Sequence, residues 1–560
     1  MQYRNSYSSP TRIILILLLN LCLQAVSAAA VPSSVRSEWQ EAVAFLEGMG
    51  KRAENLQVVY SSPQCVYFAA PKDEVFVMVA RYKYKEALGS PVLAYGTGNE
   101  VWTKSPDEED PVEQDGFFLK MIAGYESTLK ALDESPVPVV ALEKKNDVQP
   151  LCADINYGQH LPFNKLFPMD GEGDNAWYSV VGCGPVALAQ VLTYYKSPVQ
   201  PKGVVSGTTA HGNPYTYDMA EYPVDWDNLK PEALLLDCAL SLGTILSVGA
   251  SHTLISQFKA ALFDTWGYSP RCKLLGNVLG EKEMLSMVRS DIAAGHPVIL
   301  AGNNHLFVCD GIQGDFLHFD FGWRGFGNGY FRTLLLPSAP EWQLPFLQAL
   351  VGVEPDSPAR YKDVTVKLSK AGTLAKKLKK DAPYIRKLTI KGPVNGADFD
   401  LIRHMAGAVI MPKDYQNEYG ALTELDLTDA RIVATAPFHI KNNKLPIHGT
   451  ITPQNSPAYD YYFKLDEVTK KDWEEIVRLG LDKTYGLDMV DGIVLFKYAT
   501  WDDTIPTYLF SDCIALRKVA LPKKLKKVDK LAFFECKGLV EVTNLPKDVH
   551  PEAFLSSSYR

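Results

Sequence analysis

The chain has 560 residues, a length that suits three to four domains, and its 46% apolar and 22% charged content excludes a mainly disordered polypeptide. Its 57 basic and 65 acidic residues leave a net charge of −8. They divide unevenly, 26 against 39 over residues 1–360 and 31 against 26 over 361–560, with no dense Lys/Arg stripe of the kind that binds nucleic acid.

Residues 1–28 read as a signal peptide. Arg4 and Arg12 give a positive start, Ile13 to Leu21 an apolar stretch, and Val26-Ser27-Ala28 a small-residue cleavage site. Leu21 before Cys22 is too bulky for a lipoprotein signal, and no later run reaches eighteen apolar residues. The expected destination is outside the cytoplasm, either secreted or at the surface or periplasm of a bacterium.

Residues 29–145 follow as a small α+β unit. Strand-type runs recur at Cys65-Val66-Tyr67-Phe68, Val75 to Val79 and Val92 to Tyr95, and Leu119, Ile122, Ala123 and Leu129 give Phe117 to Leu132 helical spacing. Ser135-Pro136-Val137-Pro138 then breaks regularity, and Glu143-Lys144-Lys145-Asn146 forms a charged hinge of the kind that tolerates cutting.

Residues 146–357 open irregularly and turn helical at Gly182-Cys183-Gly184-Pro185, where proline in a first turn forfeits only a spare N–H. Strands are expected at Pro297 to Leu300, His305 to Val308 and Phe316 to Phe319, with Gly322, Gly325, Gly327 and Gly329 bending the chain after them.

Residues 358–560 carry short apolar triplets at repeat spacing: Ile385-x-x-Leu388-x-Ile390, Leu422-x-x-Leu425-x-Leu427 and Leu516-x-x-Val519-x-Leu521. Phe510, Cys513, Leu516 and Val519 return 23 residues later as Phe533, Cys536, Leu539 and Val542. One such unit cannot bury its own apolar face, so neighbours must stack into a solenoid. The pattern resembles BspA-type leucine-rich repeats, although residues 435–490 fit no repeat.

For chemistry, Cys183 is the sharpest position. A helix start supplies unpaired N–H groups and a dipole that favour thiolate, and the flanking glycines leave the sulfur open. A cysteine at a tight turn is about as often a structural hydrophobe. His305, at the start of a downstream strand, supplies the base that a thiol nucleophile needs, with His318 as a competitor for that role. The cysteines that follow the signal lie far apart with no CxxC pair, so neither a zinc site nor a dense disulfide framework is expected.

Together these residues resemble the streptopain family of papain-like cysteine peptidases. The matching stretches are Asn156-Tyr157-Gly158-Gln159 with Pro162-Phe163-Asn164, then Gly182-Cys183 with Ala187 to Gln190. His305 to Gly311, and His318-Phe319-Asp320-Phe321-Gly322-Trp323-Arg324-Gly325 with Gly329-Tyr330-Phe331, complete the set. The resemblance implies an α+β papain-like fold, an inhibitory propeptide over 29–145, Cys183 as nucleophile, His305 as general base and acid, and Gln159 as oxyanion donor. It also puts Gly182 and Trp323 at the cleft. Asp320 is a candidate to orient His305, standing with Phe321 where the family usually shows Asn-Trp. No cofactor or metal is implied. Polypeptides are the expected substrates, and the repeats are expected to bind a protein or cell-surface partner. The competing expectation is a peptidase-shaped surface adhesin that binds without cutting.

Overall fold

A computed structural model describes residues 31–53, 55–70, 75–97, 111–134, 146–197, 201, 203–276, 280–334, 344–408, 420–439, 474, 477–478, 487–490, 493–507 and 509–559. The expected signal peptide and the Ser135 to Lys145 tether lie outside these residues. The chain forms two compact units: one comprises 1–261 with 274–352, the other 262–273 with 353–560.

In the first unit the three strands predicted near the start are β2 (Cys65–Ala70), β3 (Val75–Ala80) and β4 (Val92–Thr97), and an unpredicted strand, β1 (Gln57–Ser61), precedes them. They pair antiparallel in sequence order, with helix α1 (Arg36–Gly48) packed on them and α2 (Pro111–Glu134) following. β2 and β3 are buried along their whole length, which explains why their sequences are continuous apolar runs without alternation.

Two short hairpins follow, β5 (Met169–Asp170) with β6 (Trp177–Tyr178) and β7 (Val204–Thr208) with β8 (Pro214–Asp218). Helix α3 (Cys183–Tyr195) comes between them, and α4 (Pro231–Ser241) and α5 (Glu281–Ala293) come after. The downstream strands are β9 (Lys273–Leu275), β10 (Val298–Gly302), β11 (His305–Gln313), β12 (Phe316–Asp320), β13 (Gly329–Arg332) and β14 (Gln348–Val351).

All but the two hairpins join one ten-stranded sheet, ordered β1-β2-β3-β4-β13-β12-β11-β10-β14-β9. The N-terminal strands are therefore continuous with the sheet that carries His305. The junction is β4 against β13, with Ala94 opposite Phe331 and Tyr95 opposite Tyr330. The rings of Tyr95 and Tyr330 stack at 5.2 Å, and the buried Arg332 guanidinium donates to the carbonyl of Leu88 at 2.8 Å.

In the second unit β15 (Lys362–Lys367), β16 (Ile385–Val394), β17 (Glu424–Asp426), β23 (Lys518–Ala520) and β25 (Glu541–Thr543) run parallel, side by side. β18 (Ala430–Ile432) pairs with β16, and β19 (Thr435–His439) and β20 (Leu487–Val490), at the two ends of the stretch that fits no repeat, join β21 (Ile493–Thr500) just beyond it in a separate antiparallel sheet. The triplet residues Leu388, Leu425, Val519 and Val542 stand in one row across four neighbouring strands, all buried. A second parallel ladder joins β22 (Thr504–Ile505), β24 (Lys527–Val528) and β26 (Asp548–Val549). The 23-residue period places Phe510 over Phe533 at 4.9 Å and 12°, and Phe554 continues the stack at the same spacing.

Candidate active site

Helix α3 begins at Cys183, so the first backbone N–H groups of the helix are presented at this residue. Gly182 precedes it at φ +88°, a conformation L side chains rarely adopt, and a Cβ there would come within 3.1 Å of Ser251. The eight described cysteines are free thiols, and seven of them are buried while Cys183 is half-buried. Burial pushes the thiols of Cys65 and Cys513 up to about 12, and those of Cys152, Cys238, Cys309 and Cys536 well above the ordinary range. These thiols cannot supply thiolate near neutral pH.

His305 opens β11 after a tight hairpin, where Asn303 and Asn304 both take positive φ, the geometry that the β10–β11 turn demands. Helix α3 packs against β11. The His305 ring is buried, and its Nε2 lies 2.9 Å from the carbonyl of Phe321. A carbonyl only accepts, so Nε2 carries the proton and Nδ1 is the basic atom of the neutral ring. Trp323 covers the imidazole at 4.6 Å between centroids, and Phe307 stacks parallel to it at 6.0 Å. Burial among these rings pushes the imidazole down to about 4, against the opposing pull of the Phe321 carbonyl. At neutral pH the ring is therefore uncharged until a proton reaches it from a nearby acid.

Gln159 is buried, and its carbonyl accepts from Val181 N–H at 3.0 Å, two residues before Cys183. The segment carrying Gln159 is fastened to the turn after β12. Arg324 N–H donates to the Tyr157 carbonyl at 2.8 Å, and the Arg324 guanidinium donates to the Leu161 carbonyl and lies over the Phe163 ring. The residues expected to form the cleft thus come from four elements, tied together by backbone hydrogen bonds.

Two expectations need correcting. His318 is not a rival base: its Nδ1 donates to Asp310 at 2.6 Å, and Asp310 also accepts the Cys152 N–H at 2.7 Å. The register slip between Cys309 and Gly311 gives Asp310 this inward place. Nor does Asp320 orient His305 by direct contact. Its Oδ1 accepts the Gly322 N–H at 3.0 Å, and the acceptor on the imidazole is the Phe321 carbonyl.

A residue the sequence did not single out is Asp170. It is fully buried, and its carboxylate accepts from His211 Nδ1 and from Val248 N–H, both at 2.8 Å. Burial favours the neutral acid. The Thr209 and His211 side chains and the Val248 and His211 N–H groups outweigh it and hold the carboxyl well below the usual range. The segment it anchors runs on to Ser251, which donates to the Val180 carbonyl and lies against Gly182, and to Thr253, which lies against Gly184. Residues 247–253 therefore flank Cys183 on both sides. The local sequence around Asp170, Pro168-Met169-Asp170-Gly171, reads as an ordinary turn and gave no signal.

Among the described residues no group of His, Cys, Asp and Glu could hold a metal ion, and no helix is long and apolar enough to cross a membrane. Residues 157–331 match the family described as the peptidase C10 family. The thiol protease/hemagglutinin PrtT of Porphyromonas gingivalis is 29% identical over 204 residues, which is 32% of this chain and 23% of that protein. Streptopain of Streptococcus pyogenes serotype M28 is 24% identical over 287 residues, 44% of this chain and 70% of that protein. The match thus spans less than a quarter of the first relative and about two thirds of the second. Among solved structures, a prointerpain A fragment of Prevotella intermedia superposes with a TM-score of 0.44 at 19% identity, over 54% of this chain and 99% of that one.

Proposed function

We propose, from the premise that residues 157–331 belong to the peptidase C10 family, that this chain is a cysteine endopeptidase made as an exported proenzyme. The observation that carries the reading is the pairing of elements: the half-buried thiol opens α3, and α3 packs on the strand opened by an Nε2-protonated histidine. In the proposed reaction His305 Nδ1 takes the Cys183 proton, and the thiolate attacks the scissile carbonyl. Imidazolium then gives the proton to the leaving amine, and water hydrolyses the resulting thioester by the reverse sequence. The Cys183 N–H and the Gln159 amide are the proposed oxyanion donors. The proposed propeptide is residues 29–145, supported by its sheet being continuous with the catalytic one across β4 and β13. Residues 358–560 are proposed as leucine-rich repeats that hold a protein or cell-surface partner, supported by the in-register parallel rows.

The test is turnover of a labelled casein together with titration by a thiol-directed inhibitor. Cys183→Ala and His305→Ala should abolish turnover, and Gln159→Ala should fold normally and lose on the order of 100-fold, the usual effect of deleting one oxyanion donor. Iodoacetamide should label Cys183 ahead of the other thiols. Full activity in Cys183→Ala would overturn the mechanism. A wild-type chain that neither cuts casein nor reacts with the inhibitor would favour the adhesin reading instead.

A further inference from the structure

Resting on the reading of His305 as the base, we propose that Asp320 is a positioning residue that acts on His305 through the peptide group joining Phe321 and Gly322. The carbonyl of that group accepts from His305 Nε2 at 2.9 Å, and its N–H donates to Asp320 Oδ1 at 3.0 Å. In a planar trans peptide the two bonds point in opposite directions, so the carboxylate and the imidazole sit at the two ends of one amide dipole. A carboxylate on the N–H end draws electron density toward the oxygen, as in any chain of hydrogen bonds. That oxygen becomes a better acceptor for an imidazolium than for a neutral ring. The effect therefore favours the state in which Cys183 has given up its proton.

The peptide is not free to turn away. Phe321 N–H donates to Asn328 Oδ1 at 3.0 Å, fixing the preceding amide. Gly322 holds φ +72°, and a Cβ there would come within 2.6 Å of Val186 on α3. Asp320 itself is buried. The titratable groups facing it are Asp310 on β11, His318 on β12 and the Cys152 thiol, while α3 contributes the neutral amide of Gln190. Burial raises its carboxyl to about 6, the Gly322 N–H working against that, so the charge is present through neutral and alkaline pH.

The experiment is the pH dependence of kcat/KM for labelled casein in the full chain carrying Asp320→Asn or Asp320→Ala, each checked for folding by circular dichroism. Asparagine keeps an oxygen for the Gly322 N–H and removes the charge. It should leave KM unchanged and lower kcat about three- to tenfold at neutral and alkaline pH, a gap that closes as pH falls through about 6, where the wild-type carboxyl takes up its own proton. Alanine removes the acceptor as well and should add a fall in kcat of about tenfold. An Asp320→Asn profile that superimposes on the wild type, or lies above it, would overturn the proposal and leave Asp320 as a turn residue only. Asp320→Asn keeps the size and the acceptor of the original side chain, so it decides the matter even where Asp320→Ala does not fold. Failure of the underlying reading looks different: His305→Ala would then retain turnover whatever Asp320 does.

Discussion

A carboxyl taken out of water makes its protonation state a stability term, and Asp237 is the clearest instance in this chain. It lies on α4 with 4% of its surface exposed, and burial, aided by the charge of Asp218, raises its pKa from 3.8 to about 8. Between those values the folded state holds a proton that the unfolded state has released. Its contribution is complete below about pH 4 and is lost as pH climbs through 8. Asp237→Asn has no charge to bury at any pH. Its stability should match the wild type near pH 4 and exceed it near pH 8, by a gain on the order of a few kcal/mol. Thermal unfolding at the two pH values measures this, and a pH-independent difference would mean that Asp237 reaches water. Cys183 and His305 show the same physics used differently. The one is spared deep burial while the other described thiols are not, and the other is kept neutral by its aromatic surroundings until it receives a proton.

Loops flank Cys183, and their placement depends on a few buried anchors. The segment 247–253 is tied down by Asp170 through the Val248 N–H, and by Ser251 through the Val180 carbonyl. Val248 N–H and His211 Nδ1 share Oδ2 of Asp170 while the His211 N–H uses Oδ1, so Asp170→Asn, which replaces one oxygen with a donor, leaves either the first two or the last without an acceptor. An orphaned buried donor costs about 1–3 kcal/mol, enough to loosen the segment without unfolding the sheet. Casein hydrolysis by this variant should show KM raised by about threefold or more with kcat held within about twofold, because the thiol and imidazole sit on α3 and β11. An equal fall in kcat would place Asp170 closer to the chemistry than its hydrogen bonds suggest. On strands the pattern was easier to read. β2, β3 and β11 are buried along nearly their whole length and so look apolar residue by residue, whereas the inward Asp310 needed a register slip that no hydropathy pattern reveals.

At the scale of the whole chain, the ten-stranded sheet means that removing the N-terminal segment would expose β13 as a new edge, with Tyr330 and Arg332 losing Tyr95 and Leu88 as partners. Incubated full-length protein should release an N-terminal fragment of roughly 110–120 residues, since exposed tethers are the preferred sites of nicking. Cys183→Ala should stay uncut, and N-terminal sequencing locates the junction. A cut within 170–190 would sink the proposed boundary, because that stretch carries Asp170 and the approach to Cys183. The segment 262–273 belongs with residues 353–560, an exchange between units that chain order alone could not announce.

The amino-acid sequence alone located three strands before Cys183 and three after it, the helix that begins at Cys183 and the 23-residue repeat. Each depends on local backbone preference or on a short apolar period, which neighbouring residues carry in full. Only the tertiary structure told the two histidines apart, because His305 and His318 are separated by their acceptors, Phe321 and Asp310, and not by their own surroundings in the chain. It alone revealed Asp170 as an anchor and put a peptide group between Asp320 and His305. Hydrogen bonds between distant segments follow register and close approach, and a linear pattern of residue types encodes neither.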